Sequence, residues 1–186
     1  IIFPDNFFSS FSQINNDQNI FFIADYISPL FTSKLFDSAI LLDRIQDPGN
    51  LGSILRTAAA FGIKKVFCSK LSAFAWSPKT LRSGSGAHFL LDIYENMNLV
   101  ELIQSTSLPI YSTSPHAKIN LYNHQFPKLC IWLFGNEGNG VSNELLKMST
   151  QTLSIPHISN LESINVAASV AVCLYEKYKQ SIILNK

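Results

Sequence analysis

The stretch LCIWLFGNEGNGVS, residues 129–142, turns abruptly from an unbroken apolar run into three glycines crowded around one acid, Glu137. A continuous apolar run rich in Ile, Trp and Phe reads as a strand buried on both faces, the kind found in parallel sheets covered by helices. The glycines that follow are not a Walker A loop, because no Lys-Ser or Lys-Thr comes after them. They are not the dinucleotide fingerprint either, since Gly135, Gly138 and Gly140 run opposite to G-x-G-x-x-G. Glu137 would repel a bare phosphate. Taken alone, the loop suits a tight strand-to-helix turn as well as a backbone-lined pocket for a ligand with hydroxyls or a positive centre.

Similar short apolar runs recur at Ala39–Asp43, Lys65–Cys68, Phe89–Ile93, Pro109–Ser112 and Thr152–Ile155. Helical patterns lie between most of them, at Asn50–Phe61, Asn98–Ser105, Asn143–Met148 and Ser163–Lys179. Strands alternating with helices predict an α/β fold, a parallel sheet between helical layers. Ligands in such sheets bind in the loops after the strands.

The chain has 186 residues, 47% hydrophobic and 15% charged, with a net charge of +1. A chain of this length buries roughly 70% of its unfolded surface and needs no staples. A near-neutral balance excludes a globally basic nucleic-acid binder, so any RNA surface must be local. The three cysteines, Cys68, Cys130 and Cys173, form no C-x-x-C pair and show no metal spacing, which predicts reduced core thiols in a cytoplasmic protein without a metal site. No apolar run reaches the ~20 residues of a membrane span. Residues 1–37 hold eight of the fourteen phenylalanines and read as an N-terminal extension or the remnant of an upstream domain; residues 38–186 carry the regular rhythm. The chain begins Ile-Ile without Met or a charged leader, so a longer protein is expected upstream.

Three loops carry chemistry. After the first strand, Asp47-Pro48-Gly49-Asn50-Leu51-Gly52 makes a turn, with Asn50 as the predicted N-cap of the next helix. On that helix Gly52, Ser53 and Arg56 share one face, so the guanidinium emerges beside two small residues that leave room for an anionic partner. An ordinary exposed arginine is the alternative. The second loop is the glycine cluster. In the third, Ile155-Pro156-His157 leads to Ser163, the predicted N-cap of the last helix, and to Asn165, an amide that needs partners if buried. His157 is the one histidine in these loops, and a lone loop histidine is more often incidental than a base.

Together, N-x-G-x-x-x-R-T-A at Asn50–Ala58, G-N-E-G-x-G at Gly135–Gly140 and I-P-x-x-x-x-x-x-S-I-N-V at Ile155–Val166 resemble the three signature motifs of the SpoU (TrmH-like) RNA ribose 2′-O-methyltransferases. The segment Lys79–Ala87 looks like that family's linking segment. The resemblance covers about Ser38 to Lys179. It implies a SPOUT fold with a C-terminal deep trefoil knot, a homodimer, RNA (rRNA or tRNA) as substrate and S-adenosyl-L-methionine bound in the knot, with no metal. It implies a cofactor pocket of Gly135, Asn136, Glu137, Gly138, Ile155, Ile164 and Asn165, and an active site of Arg56, Asn50, Glu137, Ser163 and Asn165. Arg56 matches the catalytic arginine; as a permanent cation it suits holding a phosphate and assisting deprotonation of the 2′-hydroxyl more than acting as a free base. A valine at Gly135 is then expected to block the cofactor by bulk. The motif departs where the family has methionine and glycine, at His157 and Ser159. Lys64, Lys65, Lys79 and Arg82 are candidate RNA contacts. A catalytically silent RNA- or ribosome-binding relative is the alternative, against which the intact Arg56, Glu137 and Asn165 speak.

Overall fold

A computed structural model describes residues 25, 29–31, 34–158 and 162–183. Seven strands form one sheet: β1 Ala39–Asp43, β2 Lys65–Ser69, β3 Asp92–Met97, β4 Ile110–Thr113, β5 Ile119–Asn120, β6 Ile131–Gly135 and β7 Gln151–Ser154. Their order is β3-β2-β1-β6-β4-β7-β5, and every pairing is parallel. Among the described residues five α-helices accompany them: α1 Pro48–Ala60, α2 Pro78–Gly84, α3 Leu99–Gln104, α4 Asn143–Met148 and α5 Val166–Ile183. None of the described helices is long and apolar enough to cross a membrane.

The central strands are buried on both faces, as their unbroken apolar runs require. Alternation along them builds two cores. Ile40, Leu42, Trp132 and Phe134 face α1 and α5, whose Leu55, Ala58, Val170 and Leu174 complete that core. Ala39, Leu41, Ile131 and Leu133 face α3 and α4, with Leu102 and Leu145 above them. Leu35 is buried in this second core, and Phe31 sets its ring edge-on to Phe67 and Tyr94 at 5.2 and 5.6 Å between centroids. Both lie in the segment assigned to the extension, so that segment's end packs on the main body; the rest of the expected extension falls largely outside the described residues.

The structure corrects several local expectations. Phe89 and Leu90 are not in a strand: Ala87–Leu90 is a 3-10 turn, and the strand is the more polar Asp92–Met97. His88 decides this. Its ring is buried, with Nε2 2.8 Å from the Ala75 carbonyl, which turns Phe89 and Leu90 outward. The N-cap of α1 is Asp47 rather than Asn50: the Asp47 carboxylate accepts from the Asn50 backbone N–H at 2.8 Å, ahead of Pro48 in the first turn. The last helix is capped by Asn165 rather than Ser163, its Oδ1 accepting from the N–H groups of Ala167 and Ala168 at 2.9 and 3.3 Å. Helix α2 and the two-residue β5 were not anticipated. Thr113 of β4 and Ile119 of β5 both register with Leu153, so β7 lies between them and residues 114–118 bridge across it.

Candidate active site

The three loops leave the carboxyl ends of β1, β6 and β7 and meet through a chain of polar contacts. Glu137 Oε2 accepts from the Gln46 backbone N–H, and Oε1 from the Asp47 N–H, both at 3.2 Å. The Asn50 amide donates to Glu137 Oε1 at 3.0 Å, and its own Oδ1 accepts from Asn165 Nδ2 at 3.0 Å. Glu137, Asn50 and Asn165 thus join loops some ninety and more residues apart in the chain. Burial raises the Glu137 pKa, but donation from the Asn50 amide and from the N–H groups of Glu137, Gln46 and Asp47 outweighs it, and the carboxyl sits below its ordinary value. The carboxylate is ionised at neutral pH.

Asn136 shapes the glycine loop. Its Oδ1 accepts from the N–H groups of Gly138 and Asn139 at 2.9 and 3.0 Å, and its amide donates to the Arg44 carbonyl at 3.0 Å. The Gly140 N–H returns to the Asn136 carbonyl at 2.9 Å, with Gly140 at φ +66°. A Cβ at Gly135 would run into the backbone of Gly140 and Val141. The glycine at 135 is therefore required by the protein's own chain, which corrects the expectation that bulk there would act only on a ligand.

Between these loops lies a cavity of about 490 Å³. Every residue expected on the cofactor lines it: Gly135, Asn136, Glu137, Gly138, Ile155, Ile164 and Asn165. Ser163 and His157 line it too, as do Thr113 to His116 of the bridge across β7, which the sequence did not single out. Neither Asn50 nor Arg56 is among its lining residues.

Arg56 stands outside the cavity, exposed on α1, with Nη1 3.4 Å from the Ser85 hydroxyl. Among the described residues no carboxylate lies within ion-pairing distance of it. The space beside it is not left for a partner. A Cβ at Gly52 would meet Ser83 Oγ of α2, the Thr80 carbonyl at 2.5 Å and the Gly84 nitrogen at 2.8 Å, so Gly52 lets α1 and α2 touch. Of the candidate RNA contacts, Lys79 pairs with Asp47 at 3.1 Å and Lys65 with Asp37 at 2.7 Å, whereas Lys64 and Arg82 are exposed. The sequence reading also missed Asp43. Its buried carboxylate accepts from the Ser142 N–H at 2.9 Å and pairs with Arg44 at 3.0 Å, tying the β1 end to the far side of the glycine loop. An acid ending an otherwise apolar strand was the available signal. Among the described residues no cluster of three or more His, Cys, Asp or Glu could hold a metal.

A parallel sheet with three polar loops gathered over a small-molecule cavity at its carboxyl edge defines an α/β protein of the ligand-binding or enzymatic kind. The model of the SpoU rRNA methylase family matches residues 37–175, and the chain belongs to that family. A tRNA/rRNA methyltransferase of Synechocystis, itself uncharacterised, is 39% identical over 144 residues, 76% of this chain and 53% of that protein. A 23S rRNA guanosine 2′-O-methyltransferase of Bacillus subtilis is 33% identical over 138 residues, 73% of this chain and 56% of the relative. The chain thus spans about half the length of the curated relatives it matches. Among solved structures, the SpoU methyltransferase AviRb of Streptomyces viridochromogenes in complex with AdoMet superposes with a TM-score of 0.74 at 29% identity, covering 84% of this chain and 64% of that one. A TrmH-family structure from Porphyromonas gingivalis gives 0.73 at 32% identity, covering 82% of this chain and 62% of that one.

Proposed function

We propose that the protein transfers a methyl group from S-adenosyl-L-methionine to a ribose 2′-hydroxyl of ribosomal or transfer RNA. The observation that carries this reading is the Glu137–Asn50–Asn165 chain, which draws all three family motifs to one edge of the sheet, the first beside a cavity that the second and third line. The cavity fits the donor. Its volume lies in the small-molecule range. The Gly135–Gly140 turn presents bare backbone, Ile155 and Ile164 supply apolar walls for a planar base, and Glu137 places an ionised carboxylate near a positive centre.

When bound, S-adenosyl-L-methionine supplies an electrophilic methyl on a sulfonium. The chain's own residues do the rest. Arg56, a cation with no ion pair among the described residues, holds the phosphate beside the target ribose and stabilises the negative charge growing on the 2′ oxygen as its proton leaves to solvent. Asn50, fixed on both sides by Glu137 and Asn165, orients the substrate between Arg56 and the cavity. Ser163 lies at the cavity wall, within reach of either ligand. Positioning of this kind supplies much of the acceleration in an in-line displacement.

The same reading includes a homodimer and a knot. Val172, Tyr175, Tyr178 and Ile182 form an apolar stripe on α5, 40–57% exposed, with Phe61 beside it at 5.7 Å from Tyr178; a second copy would cover it. The bridge of residues 114–118 across β7 supports a threaded C-terminal segment. Residues 38–186 form the methyltransferase unit, residues 1–37 an extension or domain remnant, and three free buried thiols suit the cytoplasm.

Calorimetric titration with S-adenosyl-L-methionine, with NAD as control, tests the pocket. Arg56→Ala tests the chemistry: methyl transfer to unmodified rRNA and tRNA transcripts should fall at least about 100-fold, with the donor's Kd within about twofold. Loss of donor binding in that variant, or donor binding no tighter than NAD in the wild type, would overturn the assignment.

A further inference from the structure

Ser85 occupies a backbone position that a serine seldom takes. It closes α2 at φ 46°, ψ 47°, the left-handed conformation in which helices usually end on glycine. Its neighbours on both sides, Gly84 and Gly86, are glycines, and Gly86 is left-handed too at φ +83°. A third glycine would relieve this strain, so the hydroxyl at 85 comes at a backbone cost. Such strained residues gather where a side chain is needed in one place.

That place is beside Arg56. Ser85 Oγ is the only hydrogen-bond partner that the described residues offer the Arg56 guanidinium, at 3.4 Å. Ser85 Oγ itself lies 3.4 Å from the Arg82 carbonyl, and can donate there while its lone pairs face the guanidinium. The two helices cannot drift apart to break this contact. Gly52 presses α1 against the α2 backbone, and Ser83 Oγ sits 3.2 Å from the Pro48 carbonyl across the same seam. Arg56 is one turn beyond Gly52, and Ser85 one residue beyond Gly84, so the contact lies at the open end of a rigid helix pair.

We infer that Ser85 is a positioning residue for Arg56: its left-handed backbone aims a hydroxyl that holds the guanidinium toward the substrate without neutralising its charge. The inference rests on the role proposed for Arg56. A carboxylate at this position would hold the arginine more tightly but cancel the charge that an RNA phosphate needs. A hydroxyl orients it and leaves the cation intact.

The test uses Ser85→Gly and Ser85→Thr beside wild type and Arg56→Ala. Glycine removes both the strain and the hydroxyl, so thermal stability should rise by about 2–4 °C while kcat on unmodified RNA transcripts falls about 3- to 10-fold. Threonine keeps the hydroxyl but fits the left-handed region poorly; it should melt lower than wild type yet turn over faster than the glycine variant. The Kd for S-adenosyl-L-methionine should stay the same in both. The Arg56 Nε–Hε NMR signal should lose order in Ser85→Gly and keep it in Ser85→Thr. A purely structural serine would move stability and turnover together, and that result would overturn the inference, as would wild-type turnover in Ser85→Gly alongside a dead Arg56→Ala. If no variant, wild type included, methylates RNA, the methyltransferase reading falls on its own. Ser85 is then judged by the Arg56 signal alone, and an unchanged signal in Ser85→Gly rejects it.

Discussion

Gly52→Ala sets two known effects against each other at one atom. In a helix interior, alanine in place of glycine gains about 1 kcal/mol from backbone entropy. Here the new methyl would meet Ser83 Oγ, the Thr80 carbonyl oxygen at 2.5 Å and the Gly84 nitrogen at 2.8 Å. Two of these are backbone and cannot rotate away. Ser83 Oγ is held by contacts of 3.1–3.2 Å to the carbonyls of Pro48, Lys79 and Thr80. Comfortable contact is about 3.5 Å, so α2 has to move outward by about 1 Å. Overpacking of this size costs about 1–3 kcal/mol. The balance is a net loss of about 0–2 kcal/mol, where propensity alone predicts a gain. Urea unfolding reads the sign directly, with Ser53→Ala on the same helix as the control that should show only the propensity gain. Because Ser85 rides on the displaced helix, methyl transfer should fall as well. A Gly52→Ala midpoint above wild type by the full propensity gain, with the slope unchanged, would refute the claim that α1 and α2 are in backbone contact through this glycine.

Three further outcomes are expected. Asn50→Asp replaces the donor to Glu137 with a second carboxylate at about the present 3.0 Å separation; with Glu137 largely exposed and screened, the loss is only about 1 kcal/mol at neutral pH. In urea titrations across pH that deficit should shrink as one of the two carboxyls takes up a proton below about pH 5. In the wild type, Glu137 has a folded pKa below its ordinary value, so its stabilisation is present above that value and is lost as pH falls through the lowered one; Glu137→Gln should flatten this acid limb of the stability curve. Gly135→Ala, whose methyl collides with the backbone of Gly140 and Val141, should lower thermal stability by several degrees together with donor affinity, and a normal melt with weakened binding would return that glycine to a purely ligand-facing role.

The sheet was legible because its central strands are short unbroken apolar runs bounded by polar and turn residues; β1 and β6 fall within a residue or two of the runs at Ala39–Asp43 and Leu129–Phe134. Phe89–Ile93 misled for a reason that lies outside its own residues. His88 finds a carbonyl thirteen positions away, and local hydrophobicity carries no record of that bond. The caps slipped for a related reason. Asp47 and Asn50, or Ser163 and Asn165, are each able to cap, and what counts is whether the side-chain oxygen is already engaged: that of Asn50 accepts from Asn165, whereas that of Asn165 is left for the helix. The residues of the site were readable from their motif spacing, but not what each one touches. That Gly52 seats a helix and that Ser85 meets Arg56 both depend on α2, whose short polar sequence shows no amphipathic period, and that Gly135 makes room for its own chain depends on how Gly140 and Val141 fold back over it.

Asn165 spends both ends of one amide. Its oxygen caps the helix that runs to Ile183, and its nitrogen holds Asn50 at the opposite motif. Aspartate could cap but not donate, serine is too short to reach across, and glutamine would place the same group a carbon too far. For this position the usable amino-acid alphabet has a single letter, and a mutational scan that scored stability and methyl transfer separately should find no substitution at 165 that passes both.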